Sequence, residues 1–238
     1  MSAHNKRVNA VDSGKQWLYR VGGGAAIVFG LAYIVIIALY MPMGARPGEA
    51  EALLAYIGGN TTAWWAILGL SVLTDFLLVP IAIALYFALK NINTPAMLVA
   101  TAFVGLFVIL DLALTWTNFA ALIALSGPYL AAVNDTQRSI FVTAALYPSS
   151  VVGSNLLFVY NSLTLAIGIF LTSWVMPKGV FSKHIAYVGV ATGILGIVAV
   201  ASSFFSSSVS GISIILTSVL TTVWYLMVGY KLYRLGQP

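Results

Sequence analysis

The chain has 238 residues, of which 61% are hydrophobic and only 7% are charged, whereas a typical soluble domain carries about 25% charged residues. So few charges cannot cover a water-soluble surface, and the composition therefore excludes a soluble globular domain. The net charge of +5 does not indicate nucleic-acid binding, because the positions of the basic residues along the chain relate this charge to membrane topology. The absence of cysteine excludes disulfides, thiolate metal sites and cysteine nucleophiles.

Six apolar segments follow one another along the chain, and each can supply the ~20 residues that a membrane crossing requires. They run approximately over residues 21–41, 64–89, 96–125, 151–176, 184–205 and 212–233. The polar segment 1–20 precedes the first of them without a convincing cleavage site, which predicts an uncleaved anchor. The sequence thus predicts an all-α, polytopic membrane bundle of six transmembrane helices that forms one domain over residues 21–235.

Lysine and arginine are distributed unequally between the two sides of this predicted bundle. Two of them, Arg46 and Arg138, fall on one side, and nine fall on the side that carries both termini. The nine are Lys6, Arg7, Lys15, Arg20, Lys90, Lys178, Lys183, Lys231 and Arg234. Because loops rich in Lys and Arg stay in the cytoplasm, the asymmetry predicts a multi-pass plasma-membrane protein with both termini cytoplasmic.

The two longer segments on the opposite side are predicted to contain helices of their own. Segment 47–58 is typical of a short amphipathic helix with proline in its first turn, and we expect it on the membrane surface. A helix from Phe141 to Met176 would be ~54 Å long, too long for a ~30 Å bilayer core. We therefore expect a break near Pro148, with segment 129–148 interfacial or re-entrant.

Two acidic residues lie deep inside the apolar segments: Asp75 near the centre of the second and Asp111 near the centre of the third. A charged side chain at the bilayer centre costs ~2.5 to 3.5 kcal/mol, so such residues are usually functional and face the bundle interior. Further polar residues fall on the same helical faces or in the fourth segment. These are Ser71, Thr115, Asn118, Asn155 and Asn161, together with Tyr160, Ser162 and Thr164. We predict one polar intramembrane site between the second, third and fourth helices.

No Lys, Arg or His lies in the middle of any apolar segment, and Lys90 is ~22 Å from Asp75 along the helix. Each aspartate must therefore be protonated, accept hydrogen bonds from neutral donors, bind a cation, or pair with a basic residue of another chain. The first hypothesis is a site that transports or senses a proton, a cation or a small solute. The alternatives are two structural residues that hold helices together, or a non-catalytic subunit or scaffold that pairs with a membrane partner.

Motifs for several other functions are missing from the sequence. A retinal protein needs a lysine inside a helix, and a haem subunit needs histidines there. The Gly-x-Gly-Asp element of intramembrane aspartyl proteases is absent before Asp111, as are HExxH, the P-loop and Gly-x-Ser-x-Gly. We predict no catalytic residue, metal or cofactor. A lipid-modifying enzyme without a familiar motif is a third alternative.

Small residues and sequons add two weaker signals. Gly189 and Gly193 have the GxxxG spacing that lets helices approach closely, either inside the bundle or between copies or partner proteins. The run Gly22-Gly23-Gly24 indicates close packing or a flexible helix start. Asn60 and Asn134 each begin a glycosylation sequon on the predicted outer side, which matters only in an organism that glycosylates.

The order of features resembles a known family over roughly residues 18–235. An anchoring helix is followed by an alanine-rich amphipathic stretch that ends at Asn60, and by a helix that closes on Ala84-Leu85-Tyr86-Phe87-Ala88-Leu89-Lys90. A Met176-Pro177-Lys178 turn then opens a glycine-rich helix. The chain resembles the multi-pass membrane family catalogued as domain of unknown function number 4386. The resemblance implies the architecture and no particular activity.

Overall fold

A computed structural model describes residues 13–237, and residues 1–12 and 238, which include Lys6 and Arg7, lie outside the described residues. All regular structure within residues 13–237 is helical. The α-helices are α1 Gln16–Tyr40, α2 Ala50–Gly58, α3 Thr61–Leu89, α4 Thr94–Leu110, α5 Thr117–Ala131, α6 Asp135–Val152, α7 Asn155–Val175, α8 Lys183–Ser202 and α9 Ser207–Leu235. A π-helical turn, Asp111–Trp116, joins α4 to α5 without a break.

Six helical segments of the described chain are long and apolar enough to cross a membrane, which confirms the predicted six-helix fold. They are Gln16–Met43, Thr61–Leu89, Thr94–Ala131, Asp135–Lys178, Lys183–Ser202 and Ser207–Leu235. Large hydrophobic side chains such as Leu31, Phe76 and Ile109 are exposed on these segments, as expected where a helix faces lipid. The protein is therefore an integral, multi-pass membrane protein.

The spanning helices form a closed ring in chain order, in which α1, α3, α4, α7, α8 and α9 each pack against the next and α9 packs against α1. Glycines permit the closest crossings: a Cβ atom on Gly23 of α1 would lie 2.8 Å from the Gly229 oxygen of α9. Arg20 in α1 donates a hydrogen bond from Nε to the Gly236 oxygen just after α9. The start of the first span and the end of the last therefore meet on one side, hereafter the terminal side.

The glycines of α8 pack inside the ring. A Cβ atom on Gly189 would lie 1.9 Å from Ser173 Oγ, and one on Gly193 would lie 2.6 Å from Phe170 Cβ, both on α7. This surface of α8 is thus covered by a helix of the same chain. The alternative expectation, a contact between copies or with a partner through Gly189 and Gly193, stays a prediction.

The third span extends beyond the ring on the side opposite the termini. Its 38 residues correspond to ~57 Å of helix, nearly twice the ~30 Å core of a bilayer. Helix α5 protrudes there, and α6 returns antiparallel to it after a short loop. Helix α2 packs against both, and α2, α5 and α6 together form what we call the cap.

The cap has its own hydrophobic core, which includes the apolar face of segment 47–58, and the expected position of this segment on the membrane surface stays a prediction. The side chains of Leu53, Leu54 and Ile57 are at most 2% exposed and pack with Leu122 of α5 and Ala145 of α6. The apolar face of α2 is therefore buried in protein. Amphipathic patterning identifies such a face but does not distinguish a protein surface from a lipid surface.

The helix break in the fourth apolar run lies five residues after the predicted position. Helix α6 continues through Pro148 and ends at Val152, so segment 129–148 contains the end of α5 and most of α6. The hydroxyls of Ser149 and Ser150 both donate to the oxygen of Leu146, two residues before the proline, at 3.0 and 2.7 Å. The chain breaks instead at Gly153, after which the side chain of Ser154 caps α7.

Candidate functional site

The π-helical turn places Trp116 beside Asp111. In an α-helix, residues five positions apart point ~140° away from each other. The wider π-helical turn instead brings residues i and i+5 together. Trp116 Nε1 accordingly donates to Asp111 Oδ2 at 2.9 Å. Thr117 Oγ1 donates to the Leu112 oxygen, also five residues back, at 2.8 Å.

Asn161 of α7 holds the other side of the Asp111 carboxyl group. Its Nδ2 donates to Asp111 Oδ1 at 2.5 Å and to Thr115 Oγ1 at 2.6 Å. Asp111, which is 8% exposed, therefore accepts one hydrogen bond on each oxygen from a neutral donor. Such bonds compensate part of the cost of burying a polar group.

Asp75 is more deeply buried and less well satisfied. It lies in α3, is 3% exposed and follows the buried Ser71 by one helical turn. Its carboxyl group is close enough to Asp111 and to the Trp116 indole to interact with both. Within residues 13–237, however, Asp75 Oδ2 has no hydrogen-bond partner. A buried carboxylate oxygen without a donor is costly, so Asp75 requires an explanation beyond packing.

Both aspartates line one cavity of about 180 Å³, which we call the Asp75 cavity. Its aromatic wall comes mainly from α1, α4 and the π-helical turn: Phe29, Tyr33, Tyr40, Phe107 and Trp116. Ser71 and Thr74 of α3 supply hydroxyl groups. The two acids, which the sequence placed on separate helices, thus line one cavity between the helices of the ring.

A second cavity of about 250 Å³, the Asn161 cavity, lies between α7, α8 and α9. Tyr33, Phe107, Asp111 and Leu165 line both cavities, so these residues form the partition between them. Each of the six spans contributes a polar side chain to the two linings. These include Tyr33 of α1, Asp75 of α3, Asp111 of the third span, Asn161 of α7, Thr192 of α8 and Thr221 of α9.

The site is closed on the terminal side. Leu78, Leu85, Met97 and Trp224 belong to a continuous buried core there. The cavity among these residues has a volume of about 10 Å³, enough for no more than about one water molecule. Asp75 lies 14 residues, or ~21 Å, from each end of α3, so it lies at the middle of that helix.

The cap closes the opposite side through an aromatic stack. Trp116, which borders the Asp75 cavity, lies against Phe119 of α5 with ring centroids 5.6 Å apart. Phe119 in turn stacks on Trp64 at 5.1 Å. Arg46 covers Phe119 from the loop after α1, with its guanidinium 5.6 Å from the ring, and donates to the Val152 oxygen at 3.0 Å.

The predicted site residues fall into two groups. Asp75, Asp111 and Ser71 line the Asp75 cavity, Asn161 lines the Asn161 cavity, and Thr115 is joined to Asp111 through Asn161. Two others lie elsewhere. Asn118 donates to the Leu114 oxygen of its own helix at 2.6 Å, and Asn155 is exposed in the first turn of α7. Asn118 leaves the face of Asp111 because the π-helical turn shifts the helical register between them.

Sequence reasoning missed Trp116, Tyr33, Thr192 and Thr221. The 3.6-residue period of an α-helix does not place Trp116 on the same face as Asp111, because their contact depends on the π-helical turn. Tyr33 is one of several aromatic residues in an apolar segment. Thr192 and Thr221 are polar residues inside the fifth and sixth predicted spans, and this polarity could have indicated them. Neither span contains a charged residue in its centre, in contrast to the second and third spans with Asp75 and Asp111.

Comparisons of the chain with protein-family models, with curated proteins and with solved structures found no match. The resemblance to the family catalogued as domain of unknown function number 4386 therefore stays a prediction. Fold and site together define a class of protein, a polytopic α-helical membrane protein with a central polar site.

Proposed function

We propose that the protein binds a proton, a cation or a small solute at the site around Asp75 and Asp111, and that binding serves transport or sensing across the membrane. One observation carries the proposal: two buried carboxyl groups border the same cavity inside the ring. Among the residues that the structure describes, no lysine, arginine or histidine lines either cavity. Positive charge at the site must therefore come from a proton or a bound ligand.

The physical reason is the mutual repulsion of two carboxylates in a medium of low dielectric constant. The interaction energy of like charges grows as the dielectric constant falls, so both groups are strongly disfavoured as simultaneous bare anions. A proton or cation that neutralises one of them relieves this repulsion. The other titratable groups that line the two cavities are the phenols of Tyr33 and Tyr40.

The subunit alternative requires the aspartates to pair with a basic residue of another chain. Asp75 is 3% and Asp111 is 8% exposed, and both line the Asp75 cavity. A partner helix packed on the lipid-facing surface would have to insert a basic side chain between the helices of the ring to reach either carboxyl group. The geometry thus favours a ligand inside the bundle over a charged partner outside it.

The proposed orientation places the terminal side in the cytoplasm and the cap outside the plasma membrane. The described basic residues support it, because Lys90, Lys178 and Lys183 lie at helix ends on the terminal side, whereas Arg46 and Arg138 lie at the cap. In that orientation the site is closed toward the cytoplasm and covered by the cap from outside. A transporter would have to open one of these two barriers in each half-cycle.

The test combines two substitutions with two measurements. Asp75→Asn and Asp111→Asn, each in the full chain, remove one acid while they preserve side-chain size. We expect both to abolish any pH- or cation-dependent flux in liposomes, or any pH- or cation-dependent change in tryptophan fluorescence. Asp135→Asn is the matched control, since Asp135 is exposed at the start of α6. If both site variants fold and respond like the parent, the proposal is wrong.

A further inference from the structure

We propose that the ligand of this site is an organic ammonium ion that carries at least one N–H donor and an apolar body. This inference rests on the proposed function and specifies its ligand. Three features of the two cavities support it: the surplus of hydrogen-bond acceptors, the aromatic and aliphatic walls, and the contact of the Asn161 cavity with the lipid-facing surface.

The first feature is a surplus of acceptors. Asp75 Oδ2 and Asn161 Oδ1 are both buried and lack a hydrogen-bond partner within the described chain. Ionised carboxylates are acceptors only, and the Asn161 amide uses its Nδ2 group on Asp111 and Thr115, which leaves its oxygen as an acceptor. Asp75 in the Asp75 cavity and Asn161 in the Asn161 cavity thus each carry one buried oxygen that only a donor can satisfy, and Thr217 adds an unpartnered hydroxyl, which can donate or accept, to the lining of the Asn161 cavity.

The hydroxyl groups of the linings add further acceptors. Thr74 Oγ1 donates to the Ser71 oxygen at 2.7 Å, and Thr192 Oγ1 donates to the Val188 oxygen at 2.8 Å. Ser218 Oγ likewise donates to the Ile214 oxygen at 2.9 Å. A hydroxyl has one donor and two acceptor lone pairs, so these side chains have already used their donor within their own helix. The Trp116 N–H is used in the same way on Asp111.

A ligand that matches this inventory must donate hydrogen bonds and carry positive charge. An anion would be repelled by the two carboxyl groups, and a neutral acceptor would leave Asp75 Oδ2 unsatisfied. An ammonium group supplies both the charge and up to three N–H donors. Aromatic faces around a carboxylate also favour an organic cation, because the ring quadrupole attracts positive charge.

The size and walls of the Asp75 cavity suit a ligand with an apolar body. Its volume of about 180 Å³ exceeds the roughly 150 Å³ of a protein cavity that accommodates benzene. Phe29, Ile36, Phe107 and Leu165 supply apolar surface next to Asp75. A hydrated metal ion would leave this surface without a partner, whereas an aryl or alkyl ammonium ion covers it.

The Asn161 cavity reaches the lipid-facing surface along α9. Ile214 lines this cavity and is 39% exposed on the outside of the ring. None of the residues 214–220 is buried, whereas from Thr221 onward α9 buries at least one residue in each turn up to Leu232. The cap-side half of α9 is thus loosely packed beside the cavity. An amphiphilic amine that partitions into the bilayer would meet the site here.

The experiment measures ligand binding to the full chain in nanodiscs with four probes of one shape. They are 2-phenylethylammonium, its N,N,N-trimethyl derivative, the neutral 2-phenylethanol and the anionic phenylacetate. We expect the primary ammonium ion to raise the midpoint of thermal unfolding and to bind at least about tenfold more tightly than the trimethyl derivative, which has no N–H. The alcohol and the carboxylate should not bind.

Because the four probes are compared on the unmodified protein, the test does not require any variant to fold. Asp75→Asn should weaken binding of the primary ammonium ion about tenfold or more, and Asp135→Asn should not change it. Equal binding of the two cations, or binding of the alcohol, would overturn the proposal. A response to protons or Na⁺ that depends on Asp75, without ammonium binding, would overturn the ligand class and leave the proposed function intact. No response to any ion would contradict both the ligand class and the proposed function.

Discussion

Trp116 and Asp111 are joined by a hydrogen bond of 2.9 Å although they lie five residues apart on one continuous helix. The π-helical turn makes this contact possible, and it leaves Asp111 between Trp116 on its own span and Asn161 on the next. Because π-helical turns cost regular hydrogen bonds, they are rare and occur frequently at functional sites. The turn therefore marks the centre of the site independently of the two acids.

Substitution of Trp116 tests the contribution of this hydrogen bond. Trp116→Phe keeps an aromatic ring against Phe119 but removes the indole N–H from Asp111 Oδ2. We expect a loss of about 1 to 3 kcal/mol in stability, because a buried carboxyl oxygen loses its donor. Thermal unfolding in detergent measures the change. Trp65→Phe is the control, since Trp65 is 50% exposed on α3, and equal losses in the two variants would contradict the prediction.

Asn161 should connect α7 to the third span through its amide. Asn161→Leu removes the donor to both Asp111 Oδ1 and Thr115 Oγ1. We expect a lower unfolding midpoint, by about 1 to 3 kcal/mol in stability, and a weaker cation response, because both acceptors lose their partner. Asn155→Leu on the same helix changes an exposed residue and should cost less than about 0.5 kcal/mol. A cation response unchanged in Asn161→Leu would show that this amide does not position Asp111.

Gly193 tests whether the glycines of α8 pack within the chain. A Cβ atom there would lie 2.6 Å from Phe170 Cβ and 2.9 Å from the Ala166 oxygen, so we expect Gly193→Ala to destabilise the fold by about 1 to 3 kcal/mol. Gly105→Ala has no atom within 4 Å of the new Cβ and should be neutral or stabilising by up to about 1 kcal/mol. The opposite result, an altered oligomeric state with unchanged unfolding, would point to a contact between copies.

The orientation can be tested with single cysteines, because the natural sequence contains none. Ser139→Cys lies on the exposed surface of the cap, and His184→Cys is exposed at the start of α8 on the terminal side. A membrane-impermeant thiol reagent should label the cap cysteine in intact cells and label the α8 cysteine only after permeabilisation. The reverse pattern would place the termini outside.

The number of spans and the deep position of two acids were predictable because both depend on local composition. A run of ~20 apolar residues must cross as a helix, whatever it packs against, since backbone groups in lipid have no other partner. The burial of Asp75 and Asp111 follows from the cost of exposing a carboxylate to lipid. The helix break was predictable only approximately, because Pro148 is a stronger helix-breaking signal in the sequence than Gly153 and Ser154, where α6 ends and α7 is capped.

The composition of the site was decided by tertiary structure. Closure of the ring brings Tyr33, Thr192 and Thr221, which lie far apart in the chain, to the cavities around Asp111. The π-helical turn adds Trp116 and removes Asn118 from the same face. The apolar face of α2 was readable from its pattern, but only the fold showed that α5 and α6 cover it. Local sequence thus determined that this chain crosses the membrane and where it carries buried charge, because those properties depend on transfer of residues out of water. Which side chains meet depended on helix register and ring closure, which arise from packing between distant segments.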